Sequence, residues 1–408
     1  MNVVFVNRYF YPDHSATSQL LSDLAFGLAT LGHAVHVVTS RQRYDQPLAS
    51  LSPREQVNGV RVHRVWTTRF GRSHLAGRAL DYFTFYISAG LRLALLLQRG
   101  DIVVAKTDPP LISVVAAVAA RVRGARLINW LQDVFPEVAE ATKVKFLSGW
   151  ISRFVRKLRN WSLRSGAATV VLGAGMADYV SRHAVPGKSV TIVPNWSGEL
   201  PEQNPSDIAD LRAEWGLTGD FVVMYSGNMG RVHEFDTVLG AAELLRDAGV
   251  TFLFVGGGYR KALLLEETIR RQLPNFVFMD YQPRETLALS LAVGDVHLIT
   301  LLPELEGFVV PSKFYGVAAA GKPSLFVGNP EGEIARLVRE VECGAAVATG
   351  DSESLATAIR HLMQNPALSA HQGEKALKAY RERFAFAHAL EKWHSLLTTV
   401  GQDKEVLP

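Results

Sequence analysis

Two carboxylates, Glu304 and Glu306, and a lysine, Lys313, lie close together in the stretch Pro303–Pro323, PELEGFVVPSKFYGVAAAGKP. The run before it, Val296-His297-Leu298-Ile299-Thr300, reads as a buried strand. The chain then bends at Gly307, turns helical from Ser312, and stops at Gly321-Lys322-Pro323. Ser before a helix, and Gly then Pro after it, are the usual punctuation. Acids and a lysine thus arrive together at a strand end and a helix mouth, where open α/β sheets bind ligands and where phosphate is favoured. The chemistry indicated is the handling of an anion with a polar neighbour to read; an ordinary strand-to-helix loop is the plain alternative.

Other strand ends carry matching chemistry. One run closes in Ser226-Gly227-Asn228-Met229-Gly230-Arg231 and another in Gly256-Gly257-Gly258. Glycine lets backbone come close to a ligand, and Arg231 offers a fork to phosphate oxygens. Such turns also serve only to reverse the chain, but three at corresponding strand ends indicate a nucleotide. Nearer the N-terminus, Gln132-Asp133-Val134-Phe135-Pro136-Glu137 puts Asp133 at the end of a buried strand, placed to hold a hydroxyl or a developing positive charge. The competing role for Asp133 is to cap the next helix. Ser15, Ala16 and Thr17 open an early helix with small residues and free N–H groups, a second candidate diphosphate contact. Asp-x-Asp, a His/Cys cluster at metal spacing, GxxxxGK[ST] and GxSxG are all missing, which disfavours a metal-dependent hydrolase or an ATPase.

The elements that must position these residues alternate strand and helix. Val3–Val6, a helix with Leu20, Leu21, Leu24, Leu28 and Leu31 on one face, and Ala34–Thr39 make a βαβ unit. Strands follow at 60–65, 102–105, 126–131, 168–172 and 190–193, with helices at 73–98, 111–122, 148–165 and from 174; 41–58 reads as a polar loop. A polar stretch from Leu200 to Thr218 reads as a linker with a short helix. Alternation restarts with strands at 221–226, 251–255, 276–279, 295–300 and 324–327. The expected class is α/β, two doubly wound domains, 1–198 and 199–383, with a final helix near 384–400 free to return to the first.

With 408 residues, 48% of them hydrophobic and 20% charged, the chain has material for two sizeable cores. Its one cysteine, Cys343, excludes a disulfide framework and points to a reducing cytosol. MNVVFVNRYFYP lacks a signal peptide's basic start and cleavage site. No apolar run reaches the roughly 20 residues of a spanning helix, the nearest, Tyr82–Gln98, being broken by Arg92, so a soluble protein is expected. The net charge of +4 hides a basic region between Arg61 and Arg164. Within it, Lys143–Arg164 has no acid, and Trp150, Phe154, Leu158 and Trp161 recur at helical spacing, with Arg153, Lys157 and Arg164 on another face. That pattern fits a helix on an anionic membrane, or one that buries its aromatics and extends its arginines into water. Arg69, Arg72 and Arg78, beside Tyr82, Phe83, Phe85 and Tyr86, tilt it to the membrane.

Taken together, NRYFYPD, LATLGHAVHVVTS, QDVFPE, IVPNW, YSGNMGR, FVGGG, EGFVVPSKFYGVAAAGKP and GEIARLV resemble the family 4 retaining glycosyltransferases, and within them the branch for bacterial exopolysaccharide, colanic-acid and O-antigen units. The resemblance spans nearly the whole chain. It implies the GT-B architecture, two facing Rossmann-like domains with an interdomain cleft, acceptor on the first and donor nucleotide on the second. Glu306 matches the donor-sugar Glu of the family's paired-glutamate motif; the partner Glu for the ribose falls at Gly316, leaving Glu333 as a candidate substitute. The family's Arg and Lys positions align with Asn228 and His233, so Arg231 and Lys313 become the candidate diphosphate cations, and Asp133 sits where relatives face the sugar with a His or Asp.

The reaction implied is retaining transfer from a UDP- or GDP-sugar without a metal or any cofactor beyond that donor substrate. The saccharide acceptor would ride on a polyprenyl diphosphate. The implied location is cytoplasmic, peripheral on the inner face of the cytoplasmic membrane through Lys143–Arg164, with no nucleic-acid partner. A sugar-nucleotide epimerase of the same architecture and a non-catalytic sugar-nucleotide scaffold at the membrane are the competing readings.

Overall fold

A computed structural model describes residues 1–44, 50–71, 75–143, 149–188, 190–217 and 219–402. The chain divides into two compact units, one of residues 1–194 with the C-terminal stretch from Ala389, the other Asn195–His388. Pro194 ends the first unit because the residues after it pack on the second. Trp196 packs at a tilt on Phe386, ring centroids 5.6 Å apart, Ser197 pairs with Ala385, and the Tyr380 hydroxyl donates to the Ser197 carbonyl.

The first unit runs β1 (Asn2–Val6), α1 (Ala16–Thr30), β2 (Ala34–Ser40), β3 (Arg54–Val57), β4 (Val60–Val65), α2 (Leu75–Leu96), β5 (Ile102–Lys106) and α3 (Ile112–Arg123). It continues with β6 (Arg126–Trp130), α4 (Glu137–Ala141), α5 (Gly149–Ser165), β7 (Ala168–Val171), α6 (Ala174–His183) and β8 (Val190–Ile192). The strands order as β3-β4-β2-β1-β5-β6-β7-β8 and are parallel apart from β3. Its central strands are short apolar runs buried on both faces, as parallel sheets require. β3 lies in what reads as a polar loop; Asn58 and Gly59, at φ 46° and 80°, close a two-residue hairpin that lays it antiparallel on β4.

The second unit holds α7 (Pro205–Glu214), β9 (Phe221–Ser226), α8 (Asp236–Leu244), β10 (Val250–Val255), α9 (Lys261–Arg270), β11 (Phe276–Met279), α10 (Leu287–Ala292) and β12 (Val296–Thr300). It closes with α11 (Lys313–Ala319), β13 (Ser324–Gly328), α12 (Glu333–Val341), β14 (Gly344–Ala348), α13 (Ser352–Gln364) and α14 (Pro366–Ala379). The sheet order is β11-β10-β9-β12-β13-β14, all parallel. One core lies under α8 and α13 and another under α7 and α10. The last helix, α15 (Phe386–Gln402), leaves this unit and buries Trp393 against Trp130 of the first, ring centroids 4.9 Å apart. Each unit is therefore a Rossmann-like layer in which strand order reverses once, between β1 and β5 and between β9 and β12. Loops at such reversals diverge and leave room for a ligand at the carboxyl ends.

From β1 to β4 the chain crosses the sheet one way, and from β5 to β8 the other. Right-handed crossovers then set α1 on one face and α2, α3 and α5 on the other, where α2 packs on α3 and α3 on α5. Two sequence expectations change here. Ala76–Leu96 is long and apolar enough, by length and composition, to cross a bilayer. Arg92 does not interrupt it because its guanidinium turns sideways, 2.6 Å from His63 Nδ1. On α5 the aromatics are not core: Trp150 is 71% and Phe154 55% exposed, and the helix is held by Arg159 and Arg156 on Glu137. Residues 144–148 of the basic segment, and Arg72, lie outside the described residues.

Candidate functional site

The second unit's site is built at its sheet reversal. β9 ends in Ser226 and the chain turns through Gly227, at φ 121°; β12 ends in Thr300 and leads through the loop carrying Glu306 to Lys313. Lys313 reaches back to the β9 turn: its Nζ donates to the Asn228 carbonyl (3.3 Å) and to His233 Nε2 (3.2 Å), and lies 4.9 Å from the Tyr225 ring centre. The tautomer of His233 follows from its partners. Nδ1 is 2.7 Å from the Thr300 carbonyl and must donate, leaving the Nε2 lone pair for the ammonium. Burial, then the Lys313 charge, push His233 down to about 3, so it stays neutral; burial brings Lys313 down to about 8. The result is a cation held by neutral groups, with no carboxylate paired to it among the described residues. A diphosphate arriving here would supply the missing charge and raise the lysine's pKa again.

Neither Lys313 nor its surroundings depend on a helix cap. Ser312 makes no side-chain capping bond, contrary to the punctuation read from sequence, because it adopts helical φ and ψ itself.

The glycines also have a use that the sequence alone does not show. A Cβ on Gly256 would lie 2.3 Å from the Gly227 carbonyl oxygen, and one on Gly258 2.7 Å from that of Met229. Gly257 packs against the Tyr281 ring, and its carbonyl accepts from Met229 N at 2.7 Å. The β9 and β10 turns therefore nest into each other, which fixes Asn228 and its carbonyl rather than simply clearing space for a ligand. Arg231, in the same turn, is exposed and stacks 3.3 Å from the Tyr259 ring centre.

Glu306 is half-buried, and its Oε1 accepts from the backbone N–H of Glu333, the first residue of α12, at 2.8 Å. Gly332 is needed beside it, since a Cβ there would sit 2.3 Å from Glu306 Oε2. Burial raises the Glu306 pKa despite that donor. Glu333 itself pairs with Arg336 at 2.6 Å. The structure thus brings Glu306 and Glu333 together, while Glu304 is exposed. Around Gly316 a Cβ would meet nothing within 4 Å, so the position has open space on the helix.

In the first unit the corresponding reversal gathers Thr17, Lys106 and Asp133. Lys106 ends β5 and is 1% exposed; its Nζ donates to the Thr17 carbonyl at 2.9 Å and lies 3.8 Å from the Trp130 ring centre. Burial drives its pKa well below the lysine range. Asp133 follows β6 and shares a small cavity with Lys106, Thr107, Ser113 and Arg159. Burial outweighs a hydrogen bond from Thr107, and with Asp108 nearby brings the carboxyl up to about 6. Its Oδ1 has no hydrogen-bond partner among the described residues, and neither has Arg159 Nη1. Asp133 is not the cap of the following helix; α4 starts at Glu137 after Pro136 and has no side-chain cap. At α1, Ser15 N and Oγ both donate to Asp13 Oδ1, at 2.8 and 2.6 Å, which pins the residue before the helix ahead of the exposed Ala16; no side chain caps the helix itself. Sequence reading missed Lys106, and gave His233 no role beyond marking where the family's cation is lacking. The lysine ending the apolar strand IVVAK was a usable signal; nothing local marked the histidine.

Comparison with known proteins gives two family matches. Residues 17–196 match the glycosyl transferase 4-like domain and residues 220–365 the glycosyl transferases group 1 domain. The chain is 26% identical over 301 residues to the probable glycosyltransferase WbjE of Pseudomonas aeruginosa, covering 72% of this chain and 74% of that one. It is 24% identical over 398 residues to the putative colanic acid biosynthesis glycosyl transferase WcaI of Escherichia coli, covering 94% and 96%. Anabaena HepE in complex with UDP-glucose superposes with a TM-score of 0.72 at 16% identity, over 98% of this chain and all of that one, which shows a shared fold.

Proposed function

The chain belongs to the glycosyltransferases that join a 4-like domain to a group 1 domain in the GT-B fold, and on that premise we propose that it transfers a sugar from a nucleoside diphosphate sugar to a saccharide on a polyprenyl diphosphate, for a cell-surface polysaccharide. The observation that carries this reading is Lys313, a half-buried cation held at the sheet reversal by partners that, among the described residues, are all neutral. In glycosyl transfer the leaving diphosphate gains negative charge as the bond to the sugar breaks, and a preorganised cation in a dry site stabilises that charge. Arg231, in the neighbouring turn, is the second candidate cation. With these in place no metal is assigned a role.

Asp133 and Glu306 take the sugar side. An ionised Asp133 positions the acceptor hydroxyl or stabilises the cationic sugar, and Glu306 contacts the donor sugar's hydroxyls. Retention of configuration follows if the leaving phosphate itself receives the acceptor's proton on the same face. The UDP-glucose bound by HepE, and the colanic-acid role named for WcaI, support a nucleotide-sugar donor and a polysaccharide product. Trp150 and Phe154, outward on α5 beside Arg153 and Lys157, support attachment to the cytoplasmic membrane face where a lipid-linked acceptor resides.

Titration calorimetry with UDP and GDP tests the donor site. Replacing Lys313 by Ala removes a charge-assisted hydrogen bond, so the dissociation constant of the preferred nucleotide rises by roughly tenfold to a hundredfold. Unchanged affinity would remove Lys313 from the site.

A further inference from the structure

We propose that the outer face of α2, with α3 beside it and α5 beyond α3, is an interfacial surface on which the protein lies against an anionic lipid bilayer, with α2 parallel to the membrane plane. The element that sets depth is then α2, and α3 and, beyond it, α5 supply charge to one side. This deepens the membrane attachment proposed above and does not rest on the sugar-transfer chemistry.

Every exposed residue on α2 between Ala76 and Leu95 is apolar. Leu80, Phe83, Ile87, Leu91 and Leu95 follow one another at three- and four-residue steps, one stripe along a helix, and Leu95 is 78% exposed. The opposite stripe, Phe85, Ala89 and Leu93, is already in the core. A helix apolar on both sides cannot leave one side in water without a cover, and a stripe of this length exceeds the scattered apolar exposure of ordinary surfaces. Phe70 extends it, packing where Gly77 leaves room and standing exposed itself.

The helix lies on the bilayer and does not cross it. Asp81, on its buried side, is fully enclosed and accepts from Thr68 Oγ1, Phe70 N, Gly71 N and Arg8 Nη2 at 2.7 to 3.3 Å. Insertion across a membrane would strip that carboxylate of its partners in hydrocarbon, which is strongly unfavourable.

Charge identifies the cover. Among the described residues, the exposed positions of α2, α3 and α5 include no Asp or Glu. They include Arg121 and Arg123 on α3, beside the exposed Val118 and Val122, and Arg153, Lys157 and Arg164 on α5, which also exposes Trp150. A second copy docked by the same face would bring these cations against one another. A bilayer with anionic headgroups meets both demands, hydrocarbon for the stripe and phosphate for its flanks.

The test is flotation of the full chain with vesicles of phosphatidylcholine alone and with added phosphatidylglycerol, alongside sedimentation velocity without lipid. The wild type floats with the anionic vesicles. Leu91→Ser with Leu95→Ser loses at least about tenfold in partitioning, and Arg121→Gln with Arg123→Gln loses about tenfold. Both pairs are exposed, so thermal melting stays at the wild-type value. Wild-type flotation of the leucine pair overturns the proposal, as does a wild-type dimer that the leucine pair converts to monomer.

Discussion

Two side chains with shifted pKa values make the chemistry of single residues testable by pH. On the proposed function, Asp133, raised by burial to about 6, must be ionised to hold a hydroxyl or a positive sugar, and Lys313, lowered by burial to about 8, must be protonated to meet the diphosphate. Activity therefore falls as pH drops through the first value and falls again as pH rises through the second. The kcat/KM profile, which reports the free enzyme, is expected to be a bell with limbs near those values. Bound diphosphate raises the lysine's pKa, so the alkaline limb of kcat lies higher. Lys313→Arg, whose guanidinium keeps its proton, removes the alkaline limb. Asp133→Asn removes the acid limb and lowers the rate by about 10²–10⁴. A limb that persists in either variant shows that another group titrates there.

Among the elements, the nested turns after β9 and β10 make the sharpest stability claim. Gly256→Ala places a methyl against the Gly227 carbonyl at a backbone φ of 131°, and is expected to cost roughly 3 kcal/mol or more in urea unfolding. Gly316→Ala, in the open on α11, is expected to stabilise by about 0.5–1 kcal/mol. Equal effects for the two glycines would contradict the nesting argument. These positions also mark what is legible in the sequence. Apolar strand runs such as Val3–Val6 and Val296–Thr300 announce themselves, because a parallel strand buried on both faces leaves a continuous hydrophobic run. The glycine turns could be located but not interpreted, since their partner is another turn rather than a neighbour in sequence. Asn58-Gly59 is a hairpin signal that the polar surroundings of β3 obscured. His233 and Lys106 work only through contacts that sheet pairing creates, Thr300 and Lys313 for one and Thr17 and Trp130 for the other. Local pattern holds no trace of those.

For the whole molecule, the sequence shows two runs of βα alternation and a basic region, and the structure resolves the first into an eight-stranded and a six-stranded sheet, each with one reversal. The reversals collect the chemistry of each unit: Lys106 and Asp133 in one, Lys313 and Asn228 in the other. The basic region is confined to the first unit, and the acids within it are turned to internal duty, Asp81 with Arg8 and Glu137 with Arg156 and Arg159. That leaves cationic and apolar groups outward on α2, α3 and α5, in keeping with the proposed division of labour in which one unit binds the donor and the other meets the membrane and acceptor. The most direct measurement is incubation of the enzyme with radiolabelled UDP-, GDP- and CDP-sugars and a lipid-linked saccharide fraction in excess EDTA. The expected result is label from one donor entering the lipid-linked fraction with its anomeric configuration kept. Loss of transfer in EDTA, restored by a divalent cation, or conversion of the donor to an epimer without any acceptor, would contradict it.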